Sequence, residues 1–143
     1  MQIKQLTPSV AVAAQISVAD LADLAAAGFK TVINNRPDGE ALDQPANAKL
    51  EAAAKAAGLE FRHIPVISGK MTEGDVQAVA VALDEAPTPA LMFCRSGTRS
   101  TTLWALANAE KLDPAAIVEA AAGAGYDLEG LRPELERRSR ITG

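Results

Sequence analysis

Apolar blocks and amphipathic stretches alternate along the chain. "VAVAA" (10–14) follows a polar start and reads as a short strand. In "SVADLADLAAAG" the period changes: Val18, Leu21, Ala22 and Ala25 share one helical face, Ser17 and Asp20 have capping-box spacing, and Gly28 is a stop. "KTVINN" is a buried strand, and "RPDGEALDQP" is a loop rich in turn formers. "ANAKLEAAAKAAG" puts Leu50, Ala53, Ala54 and Ala57 on one side of a helix that ends at Gly58. "LEFRHIPV" is the next strand. Thr72 and Asp75 repeat the capping box ahead of a face formed by Val76, Val79, Ala80 and Leu83. "ALMFC" is a third buried strand, and the helix after Gly97 carries Leu103, Leu106 and Ala107 inward. "DPAAIVEAAAGAG" has Asp113 as N-cap and Pro114 at the first helical position, and a last helical segment runs around Leu128, Leu131 and Leu135.

Near-continuous apolar strands separated by helices predict an α/β fold, a parallel central sheet flanked by helices on both faces. The strand ending at Phe93 or Cys94 belongs in its middle. No repeat, low-complexity tract or linker interrupts the 143 residues, so the expectation is a single domain spanning 1–143. In such sheets sites form beyond the carboxyl ends of the strands. Cys94 lies at such an end, and the loops "NNRPDGE" and "VISGKMTEGD" follow strands that point the same way.

Bulk properties narrow the function. With 48% hydrophobic and 22% charged residues, a packed core is expected rather than disorder. A net charge of −4 argues against nucleic acid, and 3% aromatics leave few stacking platforms. No segment has the ~20 apolar residues that cross a bilayer, and the first residues show no signal-type region. A single cysteine makes no internal disulfide, and a reducing, cytoplasmic setting is expected. One histidine and one cysteine give no metal-ligand spacing, and no cofactor is expected.

The chemistry concentrates in "CRSGTRS", residues 94–100, between a strand and a helix. The first amides of a helix are unpaired and its dipole is positive there. A loop folded over them makes a nest of donors, an anion site. The same field favours a thiolate over a thiol, and the thiolate is the reactive form. Arg95 and Arg99 add positive charge, and an arginine grips a tetrahedral oxyanion with two parallel hydrogen bonds. Gly97 permits a backbone turn that a side chain would block. Ser96, Thr98 and Ser100 add hydroxyls. The plain alternative is a buried structural cysteine above an ordinary helix cap. Two arginines beside a strand-end thiol have no packing purpose, which favours the functional reading.

The other residues are weighed in the same way. Asn34, Asn35 and Arg36 end a strand on the site face. They read equally as an anion-holding group and as a turn. Glu40 pairs with Arg36 or Arg99 as a brace, or is a solvated loop charge. His63, inside a strand, reads as a core or rim histidine. Asp75 is a cap before it is an acid. Trp104 is helix packing, and "LERRSR" (135–140) is a solvated basic tail.

C-x4-R with a central glycine resembles the active loop of single-domain rhodaneses, the sulfurtransferases. "TVINNRPDGE", "HIPVISGKMTEGDV" and "FCRSGTRS", in that order and spacing, resemble the phosphatase-like domain of the beta-lactamase-hydrolase-like proteins. The likeness runs from about Ile3 to Leu112. It implies a dual-specificity-phosphatase-like fold, in a bacterial family with standalone members and members fused to a persulfide dioxygenase. It also places "NNRP" near the cysteine loop, with Arg36 toward a substrate carboxylate or sulfonate.

Two departures from the true phosphatases of this fold matter. Those enzymes use C-x5-R, and here the sixth residue after cysteine is Ser100, with Arg99 one place earlier. They also carry a general-acid aspartate soon after "IPV". Here Ile67, Ser68, Gly69 and Lys70 follow, and no carboxylate appears before Glu73 and Asp75. Three readings result. The first is a sulfurtransferase with Cys94 as nucleophile and persulfide carrier, and the 95–100 amides with Arg99 binding the donor. The resemblance implies thiosulfate or glutathione persulfide as donor and glutathione as acceptor. The second is a phosphatase working through a phosphocysteine on activated esters. The third is a non-catalytic anion-binding module.

Overall fold

The computed structural model describes residues 1–142. In chain order the elements are β1 (Lys4–Thr7), β2 (Val10–Ala13), α1 (Asp20–Ala26), β3 (Thr31–Asn34), α2 (Asn47–Ala56) and β4 (Glu60–His63). Then come α3 (Glu73–Glu85), β5 (Ala90–Phe93), α4 (Thr98–Ala107), α5 (Pro114–Gly123), a 3-10 turn at Glu129–Leu131 and α6 (Arg132–Thr142). The sheet order is β1-β2-β5-β3-β4, which puts the strand leading into Cys94 at the centre. β2, β5, β3 and β4 run parallel.

Strand alternation divides the core in two. Val10, Val12, Ile33 and Met92 face a cluster completed by α3, α4, α5 and α6. Ala11, Ala13, Val32, Leu91 and Phe93 face the other, smaller cluster, closed by Leu21 and Leu24 of α1 and by Leu50 and Ala54 of α2. Every residue of β2, β3 and β5 is buried, as expected for strands covered on both faces. Trp104 of α4 is fully buried, a packing residue.

The central sheet is parallel as expected, and it carries one antiparallel strand at its edge: β1, which falls in the polar start, pairs with β2, with an irregularity between Gln5 and Thr7. An edge strand has a neighbour on one side only, and β1 buries Leu6 alone, so it carries no apolar run to announce it. Val18 and Ala22 do not face the core. α1 starts only at Asp20, so Val18 lies on the preceding turn, 45% exposed, and the buried stripe is Leu21 and Leu24. Only half of the Ser17–Asp20 box forms, the Ser17 amide donating to the Asp20 carboxylate at 2.8 Å.

The second box is complete. The Asp75 amide donates to Thr72 Oγ1 at 3.1 Å and the Thr72 amide donates to the Asp75 carboxylate at 2.9 Å. Asp113 stands at the N-cap of α5 without a side-chain cap bond. Parallel registry ends the strands level: Ala13 and Asn34 both align with Phe93, and His63 with Asn34. The segments leaving β2, β3, β4 and β5 therefore meet at one rim.

Thr72→Ala is expected to lose ~1 kcal/mol of stability through the missing cap. Asp75→Asn should weaken the same box and leave turnover intact, since Asp75 is occupied as a cap. Urea denaturation beside steady-state assays checks both, and a large loss of kcat in Asp75→Asn would restore it as an acid.

Candidate active site

The chain leaves β5 at Phe93 and enters α4 at Thr98, with Cys94 to Gly97 making the reversal. Gly97 is the N-cap of α4 and sits at φ +91°, a conformation that L side chains rarely adopt. A Cβ there would also collide with the hydroxyl of Tyr126 and stand 2.9 Å from its ring. Cys94 is 1% exposed, and the Gly97 amide donates to its sulfur at 3.1 Å. A thiolate receives such a bond more strongly than a thiol does.

Three carbonyls of the loop have donors of their own. The Arg95 carbonyl accepts from the Gln15 amide at 3.3 Å. The Ser96 carbonyl accepts from the Tyr126 hydroxyl at 2.9 Å. The Gly97 carbonyl accepts from the Thr101 amide at 2.9 Å and from its hydroxyl at 2.7 Å. Burial, and then the nearby charge of Cys94, push the Tyr126 hydroxyl up, so it stays a proton donor.

The loop forms one wall of a cleft of about 490 Å³. Cys94, Arg95, Ser96, Thr98, Arg99 and Thr102 line it from the loop and α4, and Glu40, Ile67, Ser68, Gly69 and Met71 complete the lining from the segments after β3 and β4. A smaller cavity of about 260 Å³ lies elsewhere, around Thr7, Ala80, Trp104 and Lys111, and contains none of these residues.

The cleft contains a clamp. Glu40 receives Arg36 Nε at 2.9 Å, and Arg99 through Nη1 at 3.0 Å and Nη2 at 3.2 Å. Arg99 Nη1 also donates to the Val66 carbonyl at 2.8 Å, and Arg36 Nη1 to the Gln15 side chain at 3.0 Å. Burial alone would raise the Glu40 carboxyl. The hydrogen bonds and charges of Arg99 and Arg36 outweigh it and hold the group below its usual range. This is the brace anticipated for Glu40, joining both arginines at once.

The predicted site residues thus divide. Cys94, Arg95, Ser96, Thr98 and Arg99 line the cleft, while Gly97 shapes the loop and supplies the amide. Asn35, Arg36 and Ser100 are buried behind it. Ser100 Oγ donates to Asn35 Oδ1 at 2.9 Å, and Asn35 Nδ2 donates to the Ile64 carbonyl at 3.1 Å. These bonds tie α4, β3 and the segment after β4 together. Asn34 caps the turn, accepting from the Arg36 amide at 2.8 Å. His63 Nε2 meets the Arg36 carbonyl at 3.0 Å, a rim role. Gln15 and Tyr126 were not anticipated. Tyr126 is the only tyrosine in the chain, but nothing near it in sequence links it to Cys94.

A mostly parallel sheet with a cysteine at the end of its central strand, held in a loop at a helix N-terminus, defines a phosphatase-like domain of the cysteine-phosphatase type. The chain belongs to the family described as "Beta-lactamase hydrolase-like protein, phosphatase-like domain", whose model matches residues 2–111. It is 36% identical over 141 residues to a beta-lactamase hydrolase-like protein of Agrobacterium fabrum, covering 97% of this chain and 33% of that protein. A namesake from Xylella fastidiosa is 38% identical over 106 residues, 74% of this chain and 25% of the relative. The chain thus spans a third or less of these curated relatives.

Among solved structures, a candidate phosphatase from Neisseria meningitidis superposes with a TM-score of 0.84 at 34% identity, covering 96% of this chain and 99% of that one. Tk-PTP in its active form shares the fold, with a TM-score of 0.70 at 17% identity over 96% of each chain. Dual-specificity-phosphatase-like architecture is confirmed.

Glu40 carries a depressed carboxyl in the folded state. Its contribution to stability is therefore full above the ordinary carboxylate pKa and is lost as pH falls through the depressed value. The stability difference between wild type and Glu40→Gln should hold steady from neutral pH to about 5 and shrink below about 4. Denaturant melts across that range check it. Gly97→Ala is expected to cost ~1–2 kcal/mol for the left-handed backbone, before the clash with Tyr126. It should abolish turnover, while thermal melts still report a folded chain.

Proposed function

We propose that this domain is a sulfurtransferase in which Cys94 carries a persulfide. One observation supports this above the rest. Among the described residues lining the cleft the sole carboxylate is Glu40, and two arginines hold it ionised. A phosphatase must protonate a leaving alkoxide, a contribution of typically ~10²–10⁴-fold in rate. Glu40 has no proton to give near neutral pH, and Asp75 is spent on its cap.

Sulfur transfer has no such need. The Cys94 thiolate attacks the outer sulfur of an anion such as thiosulfate, and a new S–S bond forms as the old one breaks. Sulfite leaves with the bonding pair and needs no proton. A second thiolate, glutathione being the expected acceptor, attacks the outer sulfur of the Cys94 persulfide and releases Cys94 as thiolate. The loop amides and Arg99 hold the anionic donor, thiosulfate or glutathione persulfide, and Arg95 adds charge at the mouth. A persulfide dioxygenase is the enzyme class that would consume the product.

The second reading is a phosphatase. The family description and the fold of its relatives favour it over sulfur transfer. The same thiolate would attack phosphorus and form a phosphocysteine, and an acid-poor cleft restricts that chemistry to aryl or other activated esters. A small-anion enzyme free in the cytoplasm suits both readings. No helix among the described residues is long and apolar enough to cross a membrane.

Intact-mass spectrometry after incubation with thiosulfate, and separately with an aryl phosphate, divides the readings. Gain of one sulfur atom on Cys94, removed by glutathione, is the expected result. Gain of one phosphoryl group with fast ester hydrolysis would install the phosphatase, and no adduct from either would leave a binding module. Arg99→Lys should raise the KM for thiosulfate, because a compact ammonium does not keep the bonds to Glu40 and Val66 that fix the charge beside the cleft. Inserting one residue between Thr98 and Arg99 restores C-x5-R and should shift the activity ratio toward phosphate.

A further inference from the structure

The Ser96–Gly97 peptide is a rigid plane with bonded groups at both ends. Its carbonyl accepts from the Tyr126 hydroxyl at 2.9 Å, and its N–H donates to Cys94 Sγ at 3.1 Å. In a trans peptide these two groups point in opposite directions, so fixing one fixes the other. We infer that Tyr126 is a positioning residue for the nucleophile, aiming the Gly97 amide at the cysteine sulfur through this single peptide unit. The inference rests on Cys94 being the nucleophile and is indifferent to whether sulfur or phosphorus is transferred.

Three observations converge. The Arg95 and Gly97 carbonyls are held outward by nearby backbone amides and by Thr101, partners that come with the sheet rim and with α4 itself. The Ser96 carbonyl alone depends on a distant side chain. Without it, that carbonyl loses its outward donor, and the plane is free to rotate about a glycine that accepts many backbone angles. Next, Tyr126 is itself fixed. It is 8% exposed, its ring stands against Gly97, and Lys4 Nζ of β1 lies 4.8 Å from the ring centroid. Finally, hydrogen bonds in series polarise one another. A phenol donating to the carbonyl therefore strengthens the amide as a donor to sulfur.

Tyr126→Phe keeps the ring, the packing on Gly97 and the contact with Lys4, and removes only the hydroxyl. The other charged groups lining the cleft with Cys94, namely Arg95, Arg99 and Glu40, are unaltered. The first measurement is the rate of Cys94 alkylation by iodoacetamide against pH, which needs no turnover. The variant's profile is expected to move to higher pH by about half a unit or more, as weakened donation to a thiolate requires. Its kcat should fall about tenfold, with the KM for thiosulfate changing less. The second measurement is hydrogen exchange at the Gly97 amide, expected to quicken in the variant while amides of β5 stay protected.

A wild-type alkylation profile in Tyr126→Phe overturns the inference. So does a lower melting temperature with the profile unmoved, since that marks a purely structural tyrosine. Failure of the functional reading looks different: Cys94→Ser would retain turnover, while the alkylation and exchange results would still report on the peptide.

Discussion

Between Phe93 and Thr98 the chain turns from an extended strand into a helix within four residues, and the turn closes through Gly97 at φ +91°. No other residue type takes that angle without strain. The reversal brings the end of the central strand against the start of α4, and the thiol of Cys94 then sits where helix amides have no carbonyl partners. The rest of the rim serves this turn. Gln15 holds one carbonyl, Thr101 another, and Tyr126 the one between.

Charge at the site is organised at one remove. Arg36 is buried, and it reaches the cleft only through Glu40, which also receives Arg99. Two cations share one carboxylate, so the group stays positive overall while each arginine is fixed in place. Such a group suits an anionic substrate and a thiolate together. It also leaves the carboxylate unable to act as an acid, which separates bond-breaking that needs a proton from bond-breaking that does not.

Much of this was legible in the sequence, for identifiable reasons. Buried parallel strands are apolar throughout, so β2, β3 and β5 announced themselves. Capping chemistry is local, and Thr72 with Asp75 formed as the spacing required. The cysteine loop was legible because its glycine, hydroxyls and arginines lie within seven residues. What stayed hidden depends on neighbours that only folding supplies. β1 is defined by its partner β2 rather than by its own pattern. The exposure of Val18 follows from where α1 begins, two residues later than its periodicity implied. The pairing of Glu40 with Arg36 was within reach of the spacing, but its simultaneous hold on Arg99, and the contact of Tyr126 with Ser96, join residues far apart in the chain, which periodicity does not register.

Tyr126 lies past residue 111, where the match to the family ends. The cysteine loop and the side chain that holds its middle carbonyl therefore occupy two separately readable stretches of the chain. A truncation after α4 would leave every recognisable signature of the site in place and take away one of its supports. Searches that grade relatives by the loop alone would rank such a fragment as complete, and domain boundaries drawn for expression at that point would yield a protein whose motif is whole and whose geometry is not.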